Sequence, residues 1–367
     1  MKSPPGVQNL ACGEGKNGPS WTLHLFFLRA DLPGRRGGVP FMKKFANTTL
    51  APLADVDLVV AVGSVDGILT TAALLRLIGN DDVEVCFTQA FTVDRLPVGS
   101  WNGRRVALVD LAVNNRDPQM TASFIARLRE QNNELVAVID EHSREDWLSV
   151  LGTFDGLVIE PQSQGVEGVP GSAGEVLRRA LEGEVVDDHT LDLLAAADAA
   201  DRMDFSTHFG SIANQAVKSN IRDDARRVKL ARHLAQQREA DEQIAAWIAE
   251  YEAILANHDT IVASREDLGD GIHRVSTAGL AVDMTSLMGR LYGEGAKVVA
   301  LEGEAFVPAE KRKRALLAFG TADKGLDLMA IVRVAGVTPL GGFAQKVNVD
   351  LGDEEVALAA VRAHLRG

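Results

Sequence analysis

Three strand-like runs in the first half of the chain each stop at an acid. Leu58 to Val62 ends in Gly63-Ser64-Val65-Asp66-Gly67, Arg105 to Val109 ends in Asp110, and Leu135 to Ile139 ends in Asp140-Glu141-His142. Short apolar runs bounded by turn signals read as buried strands. Helical stretches separate them. Ile68 to Ile78 is apolar enough to be largely buried, and Asp117-Pro118 supplies an N-cap and a first-turn proline ahead of Phe124, Ile125 and Leu128. Strands alternating with helices require a mostly parallel sheet with helices on both faces. Such sheets bind ligands at the carboxyl ends of their strands, so the three acidic ends converge on one edge.

Val83 to Phe87 reads as a further strand, and Phe154 to Ile159 as a fifth. A Gly- and Pro-rich loop, Glu160 to Gly171, precedes helices at about 173–183 and Asp188 to Arg202. From Asp223 to His258 the pattern is helical and long, with Ile244, Trp247, Ile248, Tyr251 and Leu255 at spacings of three and four. It reads as a connector, with Arg226, Arg227, Lys229 and Arg232 on a solvated face. Beyond Asp259 short strands are expected at Thr260–Ala263, Gly271–Ser276, Lys297–Leu301, Ala315–Phe319 and Lys346–Leu351. Helices are expected at Thr285–Tyr292, Leu326–Ala335 and Glu354–Leu365.

At 367 residues the prior is two domains. The expected organisation is a Gly- and Pro-rich flexible arm over 1–41, an α/β domain over 42–205, a helical linker over 206–258 and a smaller α+β domain over 259–367. Met42-Lys43-Lys44 reads as an alternative start.

The net charge of −13 argues against a broad basic face for nucleic acid, though not against a local groove or a small phosphate-bearing substrate. Cys12 and Cys86 make neither a disulfide framework nor a zinc pattern, so a reducing, cytoplasmic setting is expected, with Cys86 a buried thiol. No apolar run approaches the roughly 20 residues of a membrane span.

Carboxylates from separate strands plus an imidazole suit Mg²⁺ or Mn²⁺, and such an ion polarises phosphoryl oxygens. Acids at strand ends also serve as caps and turn formers, and spacing alone leaves both readings open.

The order of the segments adds a resemblance. From about Asp57 to Leu365 the chain resembles the DHH phosphoesterase superfamily. Ser64-Val65-Asp66-Gly67 looks like the first motif, Val109-Asp110 the second and Asp140-Glu141-His142 the name-giving triplet. Leu193-Leu194-Ala195 through Ala200-Asp201 looks like the fourth, and Gly341-Gly342-Phe343 stands where the family has Gly-Gly-His. The resemblance implies metal ligands at Asp66, Asp110, Glu141 and Asp201, an orienting Asp140 and a substrate-facing His142. It implies substrate contacts at Ser64, Gly341, Gly342 and Phe343, with Lys346 nearby.

The departures are as informative. The family pairs two ions, usually Mn²⁺. Its first motif carries another acid where this chain has Ser64, and a further ligand where it has Val62 or Val60. One ion, Mn²⁺ or Mg²⁺, is therefore expected rather than two. Phe343 replaces a His that would contact phosphate, and it either stacks on a base or fills a core.

The expected function is a metal-dependent phosphoesterase of the RecJ-like kind, acting on a short single-stranded nucleic acid or small nucleotide. The alternative is a degenerate relative that binds nucleic acid, nucleotide or protein without hydrolysis. No membrane partner is expected, and a homodimer is compatible with the sequence. His208, the Lys311-Arg312-Lys313-Arg314 run and the Ser172-Ala173-Gly174 helix start are secondary candidates, each with an ordinary structural reading.

Overall fold

The computed structural model describes residues 45, 48–152, 157–159, 171–221, 223–307 and 312–367. The arm expected over 1–41, Met42, Phe154, the loop over 160–170 and Lys311 lie outside the described residues. The first layer of structure is β1 (Leu58–Val62), α1 (Val65–Ile78), β2 (Glu84–Thr88), β3 (Arg105–Val109), α2 (Pro118–Glu130), β4 (Glu134–Ile139), α3 (Arg144–Leu151) and β5 (Leu157–Ile159). The five strands form one sheet in the order β2-β1-β3-β4-β5, with every pair parallel.

The strand sequences explain the two-faced burial. In β1, Val59 and Ala61 face one core while Leu58 and Val60 face the other. In β3, Ala107 and Val109 oppose Val106 and Leu108 in the same way. Side chains alternate across a strand, so a strand apolar at every position must be covered on both faces. β4 breaks the alternation once: Val136 and Ala137 both face the first core, where its register against β3 shifts. Such an irregularity re-aims the side chains beyond it, and the residues beyond it include Asp140.

Four helices follow: α4 (Ala173–Ala180), α5 (Asp188–Asp201), α6 (His208–Lys218) and α7 (Asp224–Gln236). Leu193, Phe209, Ile212, Leu230 and Leu234 from α5, α6 and α7 join the first core, while α2 and α3 cover the second. The helical pattern starting at Asp223 is interrupted between Gln236 and Glu242. The long connector is α8 (Glu242–Ala263), whose Ile244 and Trp247 still pack into the first core. Thr260–Ala263, expected as a strand, is the last turn of α8. Ile261 and Val262 are buried there, so tertiary packing overrides the β-branched preference.

The second sheet has six strands in the order β10-β11-β9-β8-β7-β6. Chain order gives β6 (Glu266–Asp267), β7 (Ile272–Ser276), α9 (Met284–Gly293), β8 (Val298–Val307), β9 (Arg312–Thr321), α10 (Leu328–Val334), β10 (Gly341–Phe343), β11 (Lys346–Val349) and α11 (Glu354–Leu365). Its pairs are antiparallel except β7 with β8. No helix among the described residues is long and apolar enough to cross a membrane.

Leu230 tests whether α7 belongs to the first core. It is 1% exposed. Leu230→Ala is expected to lower unfolding stability by about 2–5 kcal/mol in urea, as for other buried leucines. A loss under about 1 kcal/mol would place α7 outside that core.

Candidate metal centre

In the first sheet the chain leaves β1 toward β2 on one side and returns to β3 on the other, so the winding reverses between β1 and β3. Open α/β sheets bind ligands in the crevice at that reversal. Both strands deliver acid there. β1 runs into Ser64, whose hydroxyl accepts the Gly67 N–H at 3.2 Å, capping α1, and donates to Asp110 Oδ2 at 2.8 Å. One hydroxyl thus ties the two strand ends together and places Asp66 in the first turn of α1. A Cβ at Gly67 would lie 2.4 Å from the Val62 carbonyl oxygen and 2.7 Å from Asp110 Oδ2, so only glycine lets the two ends approach this closely.

Asp110 itself is left-handed, with φ of 56°, a conformation few residues other than Asp, Asn and Gly tolerate. Its N–H still bonds the Ile139 carbonyl at 2.9 Å, so β3 pairs with β4 up to its last residue and then turns its side chain into the crevice.

The β1 turn is held from behind by α7. Arg227 Nε donates to the Gly63 carbonyl at 2.9 Å, and its remaining nitrogens reach Asp224 at 2.6 Å and the Ile221 carbonyl at 2.6 Å. A Cβ at Gly63 would sit 2.8 Å from that Nε. Arg227 therefore holds the turn that carries Ser64 and Asp66; a solvated face was expected for it, and no sequence signal links residues 164 positions apart.

At the end of β4, Asp140 is fully buried, and both its oxygens are committed. Oδ1 lies 2.9 Å from His142 Nδ1, and Oδ2 accepts from Trp147 Nε1 at 2.6 Å. Asp140 therefore orients the imidazole, with Trp147 of α3 fixing the carboxylate in turn. Glu141 is also buried; its Oε1 is 3.3 Å from His142 Nδ1, and its Oε2 has no hydrogen-bond partner among the described residues. The ligating atoms of Asp140, Glu141 and His142 lie within 4.8 Å of one another. Asp201 closes α5 and is exposed.

These charges act on one another. Burial, then Asp66 and Glu141, hold the Asp110 carboxyl well above the usual range, against the Ser64 hydrogen bond. Burial, then Asp140, push Glu141 up to about 7. Burial opposes charge on His142, but the Asp140 hydrogen bond and the negative charges of Asp140, Glu141 and Asp201 outweigh it and raise the imidazole to about 9. Burial, Asp66 and Asp198 raise Asp201. Of the sequence-expected ligands Asp66, Asp110, Glu141 and Asp201, only Glu141 belongs to the group whose ligating atoms lie within 4.8 Å of one another among the described residues. Asp110 and Asp201 act on that group through charge, and Asp66 acts on Asp110 and Asp201. An unpartnered buried carboxylate oxygen amid mutually repelling acids fits a bound divalent cation, which supplies the missing positive charge.

The other residues singled out in the sequence lie on further elements. Gly341, Gly342, Phe343 and Lys346 form the β10–β11 edge hairpin of the second sheet. A Cβ at Gly342 would lie 2.1 Å from the Lys346 carbonyl oxygen, and Phe343 is 61% exposed, so it fills no core. Val60 is fully buried in the second core. His208 bonds the Arg238 carbonyl at 2.9 Å, a structural link. Ser172 caps α4 and donates to Asp198 at 3.0 Å. In the basic run only Arg314 has a described side chain, and it pairs with Asp350. Burial, helped by Asp224 and Glu84, pushes the Cys86 thiol up to about 12, so it stays protonated and unreactive.

No family model and no curated protein matches the chain in sequence. Solved structures do match in fold. The pGpG-specific phosphodiesterase from Vibrio cholerae is similar at TM-score 0.56 and 12% identity, over 84% of this chain and 98% of that one. RecJ in complex with Mn²⁺ from Thermus thermophilus matches at TM-score 0.53 and 16% identity, over 87% of this chain and 54% of its own. An exonuclease RecJ bound to manganese matches at TM-score 0.50 and 14% identity, over 84% and 89%.

The raised groups set a pH dependence. A carboxyl whose folded pKa is raised holds its proton longer in the folded state, so stability falls as pH rises. For Glu141 that window runs from about 4.5 to about 7. His142 adds stability below about 6.5 that is lost as pH rises through about 9. The melting temperature of the chelator-treated protein is therefore expected to fall between about pH 5 and about pH 8, and Glu141→Gln to flatten the lower part. Mn²⁺ should restore stability most at the alkaline end, where the acids are free to bind it. A wild-type profile flat across that range would contradict the crowded-acid reading.

Proposed function

We propose a metal-dependent phosphoesterase of the DHH kind with a single-ion centre, on the fold the chain shares with the solved phosphodiesterase and RecJ structures. The observation that carries this reading is Glu141 Oε2, buried without a hydrogen-bond partner among the described residues, on a carboxyl that burial and the neighbouring Asp140 push up to about 7. Asp66, Asp110, Glu141 and Asp201 would hold Mn²⁺ or Mg²⁺; four carboxylates favour a hard ion. When bound, such an ion polarises a phosphoryl oxygen and supplies water of lowered pKa.

The chain's own residues account for the remaining chemistry. Asp140 holds His142 through Nδ1, which leaves Nε2 as the nitrogen for substrate. The Asp140 hydrogen bond and charge favour the cationic form of the ring, which suits it to donate to a non-bridging phosphoryl oxygen or to protonate the departing oxygen. Trp147 keeps Asp140 from rotating away. Arg227 and the Ser64–Asp110 bond fix the spacing of the β1 and β3 ends, so the acids need little rearrangement on ion binding.

A single ion is supported by the flank where the resemblance implies further ligands. Val60 is in the core, Val62 has no donor atom, and the Ser64 hydroxyl is occupied by Asp110 and the Gly67 N–H. The named structural neighbours, a pGpG phosphodiesterase and an exonuclease, support a nucleotide substrate class. A short single-stranded oligonucleotide or linear dinucleotide is the preferred assignment.

The test is hydrolysis of a short oligonucleotide, a linear dinucleotide, a cyclic dinucleotide and pyrophosphate with Mn²⁺ or Mg²⁺. Turnover is expected with the linear nucleotides, and Asp110→Ala should lower it to the metal-free background. His142→Ala should cost about 10²–10⁴-fold. A folded wild type that turns over none of the four would reject hydrolysis and favour a binding role.

A further inference from the structure

Of the described phenylalanine side chains, two are exposed: Phe343 in the β10–β11 hairpin, and Phe91 at 64%. Phe91 stands three residues past Thr88, the last residue of β2. β2 neighbours β1 in the sheet, Val62 pairs with Thr88, and the Gly63 N–H bonds the Thr88 carbonyl at 3.3 Å. The turn bearing Phe91 therefore leaves the same edge of the sheet as the Ser64–Asp66 turn. Adjacent strands lie about 4.8 Å apart, which puts the end of β2 roughly 10 Å across the edge from the end of β3 at Asp110. A nucleotide spans a distance of that order between its base and its phosphate.

The turn is built to hold Phe91 outward. The Thr92 N–H bonds the Gln89 carbonyl at 2.9 Å, the Gln89 N–H bonds Thr92 Oγ1 at 3.2 Å, and Thr88 and Thr92 hydroxyls meet at 3.3 Å. On either side of Phe91, Ala90 packs against the second core and Val93 is fully buried within it. With both flanks anchored, the ring cannot swing inward without dismantling the turn. A large apolar ring held in water gains nothing from burial, which leaves its face open to a ligand at this edge.

Charge favours a stacking contact here. The chain carries a net −13, and the centre itself is acidic. Long-range attraction cannot draw a phosphate-bearing ligand to such a surface. Stacking on an aromatic ring is insensitive to charge and accepts any base. We infer that Phe91 is a nucleobase platform beside the metal centre, making the ligand class base-bearing nucleotides. This inference rests on the proposed function for the placement of the phosphate, but not for whether hydrolysis follows.

The experiment is calorimetric binding to the Mn²⁺-loaded full chain of guanosine 5′-monophosphate, adenosine 5′-monophosphate and the base-free ribose 5-phosphate. The wild type should bind both nucleotides roughly tenfold to a hundredfold more tightly than ribose 5-phosphate. Phe91→Ala should erase that preference and leave ribose 5-phosphate affinity unchanged, and Phe91→Trp should retain it. Phe91 is on the surface, so a matched circular dichroism spectrum and melting temperature confirm that each variant is folded. A preference that survives Phe91→Ala, or a wild type showing none, including one that binds no nucleotide, overturns the inference. Phe91-dependent binding without turnover would keep the platform and reject the phosphoesterase. Asp110-dependent turnover with Phe91→Ala unchanged in binding would do the reverse.

Discussion

Negative charge crowded into the crevice between β1 and β3 is the constraint on which the rest of the first sheet depends. After burial, Asp66 and Glu141 raise the pKa of Asp110, Asp140 and Asp201 that of Glu141, and Asp66 and Asp198 that of Asp201. An apolar sheet would be more stable without them. What keeps them together is a set of directional restraints: a glycine with no room for a Cβ at 67, a left-handed Asp110 and a serine that bonds both ends. Buried polar groups are costly unless paired, and the cost here falls at the topological position where this class of sheet binds its ligands.

Each acid has its own supporting layer. Asp140 is held by Trp147 and holds His142, so a helix on the far side of β4 sets the direction of an imidazole in the crevice. Arg227 reaches from α7 to the Gly63 carbonyl, so the helices after the sheet also position the centre. The packing of α5, α6 and α7 into the first core makes that reach possible, because Leu230 and Leu234 fix α7 against α1 while Arg227 projects toward the β1 turn. Stability of the helical layer and geometry of the acids are thereby linked.

Much of this was legible in the residues. Runs such as Leu58–Val62 and Leu135–Ile139, apolar at nearly every position, dictate strands covered on both faces, and each terminates where an acid first appears. Helix α2 was marked by Asp117-Pro118 and α11 by its periodicity over Glu354–Leu365. Thr260–Ala263 was misread because its β-branched residues carry strand propensity, whereas the contacts of Ile261 and Val262 are made only once α8 lies against the second sheet's layer. The break after Gln236 was likewise hidden within a continuous helical pattern.

The sequence by itself determined the strand–helix alternation, the acids at the strand ends and the absence of donor atoms at Val60 and Val62, because these are properties of residue type and spacing. Only the tertiary structure decided which acids share a crevice, that the Ser64 hydroxyl is occupied by Asp110, that Trp147 anchors Asp140 and that Arg227 grips a turn 164 residues away. Strand order is the physical reason: the sequence lists β1, β2 and β3 in succession, but hydrogen bonding sets β1 between the other two. That ordering makes neighbours of Ser64 and Asp110, and it brings the turn that carries Phe91 out at the same edge of the sheet.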